Sequence, residues 1–459
     1  MTHKRAPLLP AVVFHKVGVG AGLTVLLLLS CGPASVGGGS GGAAGTGGAS
    51  SSGGALGSGG ARGSGGAVGA GGKASGGGTA TGAGGTSGSG GSGGTGGDVG
   101  GGGGGGRGGR GGASGTGGSA GNAGSAGSAA PGVRIVGRTA PGTTGTRFEW
   151  SGSSVSARFM GTQVSAQISD GNNGNSFEIV VDGGVPKKVF TTSGQSTLAL
   201  ATGLTNGMHD LLLWRDTEAS VGPTEFIGLT NFGPGGELLP PPPAPDRRIE
   251  LVGDSFSCGA GIEGTAGCPE TASRIENHYL SYGAIAARSV GADLVTIAWS
   301  GIGVWRNFGA TAASNPSTVM PARYDYPIPT DTTTTWDFSK YQPHVVIMNL
   351  NNNDFSTGDP GQPFIDAYLN LARHIRSKYP DAHFIHVIEW RTGNTTDQTA
   401  QTAVNRMVTT LRAAGDMKHD VFDMRPYANL NECGGHPDIA AAQAMGNALA
   451  TELRTVMSW

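Results

Sequence analysis

Hydrophobic and polar residues alternate in short runs between residues 134 and 239, and Gly, Asn and Asp turns separate these runs. Runs such as Ser154–Phe159 and Phe177–Asp182 have the length and the alternation of half-buried strands. Asp182-Gly183-Gly184 and Asn206-Gly207 supply the turn chemistry that connects such strands. We therefore predict a β-sandwich of about 100 residues over positions 133–239.

The pattern changes after the proline-rich stretch Pro240–Pro245, which we interpret as a stiff linker over residues 240–247. From residue 248 to residue 459, apolar runs alternate with stretches of helical period. This alternation predicts a parallel sheet that is covered on both faces and that binds ligands at the carboxyl ends of its strands. The predicted strands are 249–252, 294–298, 345–349, 384–388 and 421–423, and the predicted helices are 277–290, 362–378, 398–414 and 438–456.

The N-terminal part of the chain carries neither pattern. A cationic start precedes the apolar run Val17–Leu29, an arrangement typical of a secretion signal over residues 1–31 rather than of a membrane span. Leu28-Leu29-Ser30-Cys31 resembles a bacterial lipobox, which implies cleavage before Cys31 and lipid on its thiol; an ordinary signal with an incidental cysteine is the alternative. Residues 32–132 are rich in Gly, Ser and Ala without apolar periodicity, so we predict a disordered tether. We expect a secreted protein, held by lipid at a bacterial cell envelope or surface.

Charge and cysteine content narrow the possible partners. The formal net charge of −2 argues against a nucleic-acid partner. An oxidising compartment permits disulfides, and the pairing stays open: Cys258 with Cys268 in a small loop, or Cys433 with either one. Cys433-x-x-His436 is half of a metal site, but further ligands are not evident, so we predict no metal and no other cofactor. We expect a monomer.

Polar residues follow the predicted strands. Ser255, in Gly253-Asp254-Ser255, occupies a strand-to-helix turn that exposes a hydroxyl, which predicts a nucleophile; a helix N-cap is the alternative. His436 opens the last helical segment and is the predicted general base, with a surface histidine as the alternative. The backbone N–H groups of Ser255 and Gly303 and the amide of Asn353 are the predicted oxyanion donors, and Gly301 competes with Gly303.

Several other side chains have weaker assignments. Trp305 and Trp390 are candidate substrate-binding residues, since aromatic faces suit sugar rings, although packing is the commoner role of tryptophan. Asp254 is expected to organise the turn around Ser255 through backbone hydrogen bonds. Glu218 is interpreted as a solvated carboxylate, with substrate contact across the domain boundary as the alternative.

The set of Ser255, a glycine after the second strand, Asn353 and His436 resembles the SGNH, or GDSL-type, hydrolase superfamily. Segments in both halves, among them Arg215–Ala219 and Ser300–Gly303, resemble carbohydrate esterase family two, and the resemblance covers residues 133–459. It implies an N-terminal jelly roll joined to a C-terminal, flavodoxin-like three-layer SGNH hydrolase domain over residues 248–459. It also implies cofactor-free removal of acetyl groups from plant polysaccharides such as xylan or glucomannan.

One position departs from the superfamily pattern. SGNH enzymes usually carry an aspartate three residues before the histidine, where this chain has Cys433. We therefore expect a Ser–His dyad whose imidazole is oriented by a backbone carbonyl, with Glu432 or Asp438 as alternative partners. Two other functions stay open: a lipid or short-chain ester hydrolase, and a non-catalytic polysaccharide-binding lipoprotein.

Overall fold

A computed structural model describes residues 132–171, 174–265, 267–268, 273–389, 395–427 and 433–459. The predicted signal segment with Cys31, the predicted tether up to residue 131, Trp390 and Glu432 lie outside the described residues. Within the described part of the chain, no helix is both long and apolar enough to cross a membrane.

The N-terminal half of the described chain is a sandwich of two antiparallel sheets, as the alternating pattern predicts. One sheet has the order β1-β4-β9-β6-β7, with β11 paired to β4, and the other has the order β2-β3-β10-β5-β8. Inward-facing residues such as Val155, Phe159, Ile168 and Leu213 form the core between the sheets. The strands are β1 Val133–Val136, β2 Ala140–Pro141, β3 Thr146–Phe148, β4 Ser154–Gly161, β5 Val164–Asp170, β6 Ser176–Val181, β7 Lys187–Phe190, β8 Gly194–Ala201, β9 Gly207–Arg215, β10 Thr224–Thr230 and β11 Glu237–Leu239.

The C-terminal half is a five-stranded parallel sheet with helices on both faces. Its order is β13-β12-β14-β15-β16, so the chain reverses its direction of winding at β12. Val252 packs in the apolar core on one face of this sheet, and Leu251 packs in the separate core on the other face. The strands are β12 Arg247–Gly253, β13 Ala292–Ala298, β14 Val345–Asn349, β15 His383–Ile388 and β16 His419–Asp423, and the helices are α1 Ser255–Cys258, α2 Tyr282–Ser289, α3 Met320–Arg323, α4 Gln362–Lys378, α5 Thr395–Ala413 and α6 Ile439–Met457.

One difference from the predicted elements is at the first long helix. Residues 277–290 were predicted as one helix, but α2 begins only at Tyr282. Asn277 caps a short turn by accepting the N–H of Leu280, and Ser281 then caps α2 by accepting the N–H of Ala284. Two capping side chains so close together divide the segment, because each one favours the start of a new helical turn.

The two halves share an apolar cluster beside their own cores. Trp150 and Ala219 of the sandwich pack in the same apolar cluster as Val252 and Ile297 of the parallel sheet. The indole N–H of Trp150 also donates to the carbonyl of Tyr326 at 2.9 Å. The sandwich therefore supports the edge of the sheet that carries the candidate site.

Candidate active site

Ser255 stands directly after β12, at the point where the strand order reverses, and ligands of such sheets bind at this point. Asp254 accepts the N–H of Phe256 at 3.2 Å and so caps α1, as predicted from the turn. A Cβ on Gly253 would lie 2.6 Å from Cβ of Ser257, so only glycine permits so sharp a turn. Ser255 is 6% exposed, which leaves a small opening to solvent beside it.

His436 lies against the same turn. Its ring centroid is 5.4 Å from that of Phe256, the neighbour of Ser255, although the two residues are far apart in sequence. The Nδ1 atom of His436 is 3.2 Å from the backbone carbonyl oxygen of Cys433. Because a carbonyl only accepts, Nδ1 carries the proton of the neutral ring and Nε2 is the basic nitrogen.

Asp438 and Glu432 were the alternative carboxylate partners for the His436 imidazole. Asp438 accepts the N–H of Ala441 at 2.6 Å and caps α6. Glu432 lies outside the described residues. The structure thus describes a contact of Nδ1 with the Cys433 carbonyl, and the Ser–His dyad stays a prediction.

The three oxyanion candidates lie on neighbouring loops. The amide of Asn353, after β14, donates to Asp254 Oδ2 at 3.1 Å and to the carbonyl of Ile302 at 2.8 Å. The N–H of Gly303, after β13, donates to Asn307 Oδ1 at 3.0 Å. Both donors are thus rigidly held but already engaged, so an oxyanion would have to share or displace these acceptors. Their oxyanion roles stay predictions.

The two glycines after β13 differ in what surrounds them. A Cβ on Gly303 would lie 2.6 Å from Asp354 Oδ2, so this position requires glycine. Gly301 has a φ of +75°, and the nearest atom to an added Cβ is 3.8 Å away. Gly301 therefore serves the turn, whereas Gly303 allows the backbone to approach closely.

Asp354 is a site residue that the sequence analysis did not single out. Its carboxylate accepts the N–H groups of Val304, Trp305 and Arg306 at 2.8–2.9 Å and fixes the loop that carries Gly303. Burial raises the pKa of Asp354 to about 6, against the lowering effect of these three hydrogen bonds. Burial likewise raises the pKa of Asp254 to about 7. The available signal for Asp354 was its position directly after Asn353.

Glu218 corrects an expectation. It was interpreted as a solvated carboxylate, but it is 9% exposed, and its Oε2 accepts the N–H of Ser300 at 2.6 Å. Glu218 therefore reaches from the sandwich to the start of the Ser300–Gly303 loop and supports it. Nothing in the local pattern of the chain reveals this contact, because 82 positions separate the two residues.

Aromatic residues of different exposure lie on the loop after β13. Trp305 is half-buried, with the guanidinium of Arg306 5.4 Å from its ring centroid. Phe308, which the sequence analysis did not name, is 66% exposed. Its N–H donates to the carbonyl of Gly301 at 2.9 Å, and the N–H of Gly309 donates to Ser356 Oγ at 2.9 Å. The Phe308 ring is thus presented on a backbone that is tied to the loops of Gly303 and Asn353.

The disulfide joins Cys268 to Cys433, with Cα atoms 5.2 Å apart, and Cys258 is a buried free thiol. The alternative of a small Cys258–Cys268 loop is therefore wrong, because α1 turns Cys258 into the interior. The disulfide also removes Cys433 from the half-site for a metal.

One group of possible metal ligands occurs among the described residues: Glu218, Cys258 and Glu276, all buried. Its carboxylates already accept hydrogen bonds from the protein: Glu218 accepts from Ser300 and Ser220, and Glu276 accepts from the N–H of Glu218. Burial raises the pKa of both Cys258 and Glu276 and so favours the neutral forms, which bind metal poorly. The cluster therefore fits a structural role.

Each half of the chain matches a known protein family. The family described as Carbohydrate esterase 2 N-terminal matches residues 135–242, and the GDSL-like Lipase/Acylhydrolase family matches residues 251–444. A family two carbohydrate esterase from Clostridium thermocellum, solved in complex with cellohexaose, is 36% identical with a TM-score of 0.67; the match covers 72% of this chain and 100% of that one. The chain belongs to family two of the carbohydrate esterases. The predicted family and fold class are confirmed.

Two curated proteins are similar to this chain. The cellulase/esterase CelE of Acetivibrio thermocellus is 37% identical over 321 residues, which are 69% of this chain and 38% of CelE. The chain thus spans less than half the length of that relative. An acetylxylan esterase / glucomannan deacetylase of Cellvibrio japonicus is 25% identical, over 72% of this chain and 90% of that protein.

Proposed function

We propose that this family-two esterase removes O-acetyl groups from plant polysaccharides of the xylan or glucomannan type. The observation that carries the proposal is the placement of the His436 ring on the Ser255 turn, with Nδ1 held by a carbonyl. This leaves Nε2 as the nitrogen able to accept the Ser255 proton.

The reaction follows from the roles of these groups. Ser255 Oγ attacks the acetyl carbonyl carbon while His436 Nε2 takes the hydroxyl proton. The negative charge on the carbonyl oxygen is stabilised by the N–H groups of Ser255 and Gly303 and by the Asn353 amide. His436 then returns the proton to the departing sugar oxygen, and the acetyl group stays on Ser255. Water, deprotonated by His436, attacks the acyl carbon. The bond from that carbon to Ser255 Oγ breaks, His436 returns the proton to Oγ, and acetate is released. The reaction written in this way requires no cofactor.

The substrate class is supported by the relatives and by the surface beside the site. One relative was solved with cellohexaose, and another is named as a deacetylase of glucomannan and an esterase of acetylxylan. On this chain, Phe308 and Trp305 offer aromatic faces at the rim, and such faces pack on sugar rings.

The test is hydrolysis of p-nitrophenyl acetate and release of acetate from acetylated xylan, glucomannan and a panel of other acetylated glycans. Ser255→Ala and His436→Ala are expected to lower kcat by at least about 10³-fold on every ester. Ser193→Ala, which changes an exposed serine between β7 and β8, is the matched control and should behave as wild type. Retained hydrolysis in Ser255→Ala would contradict the mechanism. Glycan binding without acetate release would favour a binding lipoprotein, and preference for longer acyl chains would favour a lipid esterase.

We further propose that the protein is exported, anchored at a bacterial cell envelope by lipid on Cys31, and monomeric. The apolar run and Leu-Leu-Ser-Cys sequence before the Gly-rich segment support the anchor. Labelled fatty acid should enter the wild-type protein and not Cys31→Ser, and light scattering of the detergent-solubilised protein should give the monomer mass. Export of an unlabelled wild-type protein would contradict the anchor.

A further inference from the structure

The carbonyl that orients His436 belongs to a segment with little stiffness of its own. Cys433 is followed by Gly434 and Gly435, whose φ angles are +63° and +78°. Two consecutive glycines restrict the backbone less than any other pair, so the chain alone fixes the distance between Cys433 and His436 poorly. The carbonyl of Cys433 nevertheless accepts from both the backbone N–H of His436, at 3.0 Å, and its Nδ1 atom, at 3.2 Å.

The stiffness comes from the disulfide. Cys433 is fully buried and is bonded to Cys268, which lies 165 positions earlier in the loop after α1. An added Cβ on Gly264 would lie 2.8 Å from Cβ of Cys433 and 2.7 Å from Sγ of Cys268. The loop therefore wraps the disulfide closely, and glycine is required for it to do so.

The same loop leads back to the nucleophile. The N–H of Ala260 donates to the carbonyl of Ser255 at 3.1 Å, and the N–H of Gly264 donates to the carbonyl of Gly261 at 2.8 Å. The covalent link between Cys268 and Cys433 thus joins the loop of Ser255 to the loop of His436. The disulfide thereby anchors the carbonyl that contacts Nδ1 of His436, at the sequence position where SGNH enzymes usually carry an aspartate.

We propose that the Cys268–Cys433 disulfide is a positioning element of the active site, which holds the Cys433 carbonyl against Nδ1 of His436. The proposal rests on the proposed role of His436 as general base. Breaking the disulfide leaves every catalytic group present but lets the imidazole move. A displacement of about 1 Å costs on the order of 10²-fold in rate, so kcat should fall by about 10- to 100-fold. KM for p-nitrophenyl acetate should change by less than about twofold, because a displaced imidazole weakens proton transfer in the transition state and not binding of the ester in the ground state.

The disulfide is open to chemical reduction, since Cys268 is half-buried rather than fully enclosed. A thiolate of dithiothreitol attacks Sγ of Cys268, and Cys433 leaves as a thiolate that takes up a proton. The second thiol of the reagent then displaces Cys268 and closes a cyclic disulfide. Two electrons enter the protein, two protein thiols form, and one dithiol is oxidised.

The experiment compares Cys268→Ser with the wild-type full chain, before and after treatment with dithiothreitol. The proposal expects the same loss of kcat in Cys268→Ser and in reduced wild type, unchanged circular dichroism, and recovery of wild-type activity on reoxidation with oxidised glutathione. Dithiothreitol should change nothing further in Cys268→Ser, and Cys258→Ser should respond to it as wild type does. If Cys268→Ser does not fold, the reduction and reoxidation of wild type still provide the test.

Two results would overturn the proposal. The first is unchanged kcat in the folded, fully reduced protein, with free thiols counted by mass after alkylation. The second is an equal loss in Cys268→Ser on adding dithiothreitol. His436→Ala separates this failure from that of the proposed function. Full activity in His436→Ala would show that His436 is not the general base. An inactive His436→Ala, together with full activity of the reduced wild type, would refute only the role of the disulfide.

Discussion

Removal of the Arg138 side chain should be among the most destabilising single changes in the shared core. Arg138 and Glu250 are both fully buried, and their charged groups are 3.1 Å apart. Glu250 also accepts from the hydroxyls of Tyr324, at 2.5 Å, and Tyr379, at 2.8 Å. Burial alone lowers the pKa of Arg138, but Glu250, Tyr324 and Tyr379 together outweigh it and the pKa is raised overall. The pair joins the sandwich to β12, the strand that leads to the Ser255 turn.

The magnitude follows from what each substitution leaves behind. Arg138→Met leaves the Glu250 carboxylate in the interior without its cation, which costs about 3–5 kcal/mol of unfolding free energy. Arg138→Met combined with Glu250→Gln removes both charges and should recover most of that loss. For a folded unit of about 330 residues, a loss of that size in the single variant corresponds to a fall in Tm of about 4–7 °C.

The assay is thermal and urea unfolding of wild type, both single variants and the double variant, followed by circular dichroism. Arg158→Met, which breaks the solvent-exposed Arg158–Asp210 pair, is the matched control and should unfold within error of wild type. The reasoning is refuted if Arg138→Met loses less than about 1 kcal/mol, or if the double variant loses the sum of the two single losses.

Four further outcomes are expected. Asn353→Ala should lower kcat for p-nitrophenyl acetate by about 10²–10³-fold with little change in KM. An unchanged kcat would show that the Asn353 amide does not stabilise the oxyanion. Glu432→Gln should keep kcat within about twofold of wild type, since a carbonyl orients the imidazole, and a large loss would defeat the dyad. Phe308→Ala should raise KM for acetylated xylo-oligosaccharides several-fold and leave p-nitrophenyl acetate kinetics unchanged, with exposed Met417→Ala as control; equal effects on both substrates would refute a sugar contact. Burial lowers the pKa of His278 to about 3, so as pH falls through about 6.5 this histidine gains a proton in the unfolded chain but not in the folded protein. Between pH 6.5 and pH 5 the wild type should therefore lose about 2 kcal/mol more unfolding free energy than His278→Gln. Parallel curves of Tm against pH for the two proteins would contradict this.

The fold and the order of its elements followed from local patterns. The alternation in Ser154–Phe159 and the apolar run Val345–Asn349 are properties of a few consecutive residues, and β4 and β14 occupy these positions. Helix α4 has the predicted bounds, 362–378, because its apolar residues repeat along one face and Gly361 precedes it. The strand β10 was not predicted, since its core contribution is interrupted by a bulge between Phe226 and Gly228.

The residues of the site likewise fall into those that local patterns predict and those that only the packing brings together. Ser255, Asn353 and His436 were found from sequence because each stands directly after a predicted strand or before a predicted helix. The contacts that hold them are of another kind: Glu218 supports Ser300, and Cys268 is bonded to Cys433, across 82 and 165 positions of the chain. Local periodicity carries no information about such distances, because they depend on how the sandwich and the parallel sheet pack.

The sequence by itself therefore determined the two layered architectures and the residue types at the ends of the strands. Only the tertiary structure decided which cysteine is free, that the carbonyl of Cys433 lies 3.2 Å from Nδ1 of His436, and that Phe308 is exposed. The physical reason is that strand and helix patterns arise from neighbours in the chain, whereas the orientation of a catalytic ring arises from groups that meet only after the core has packed.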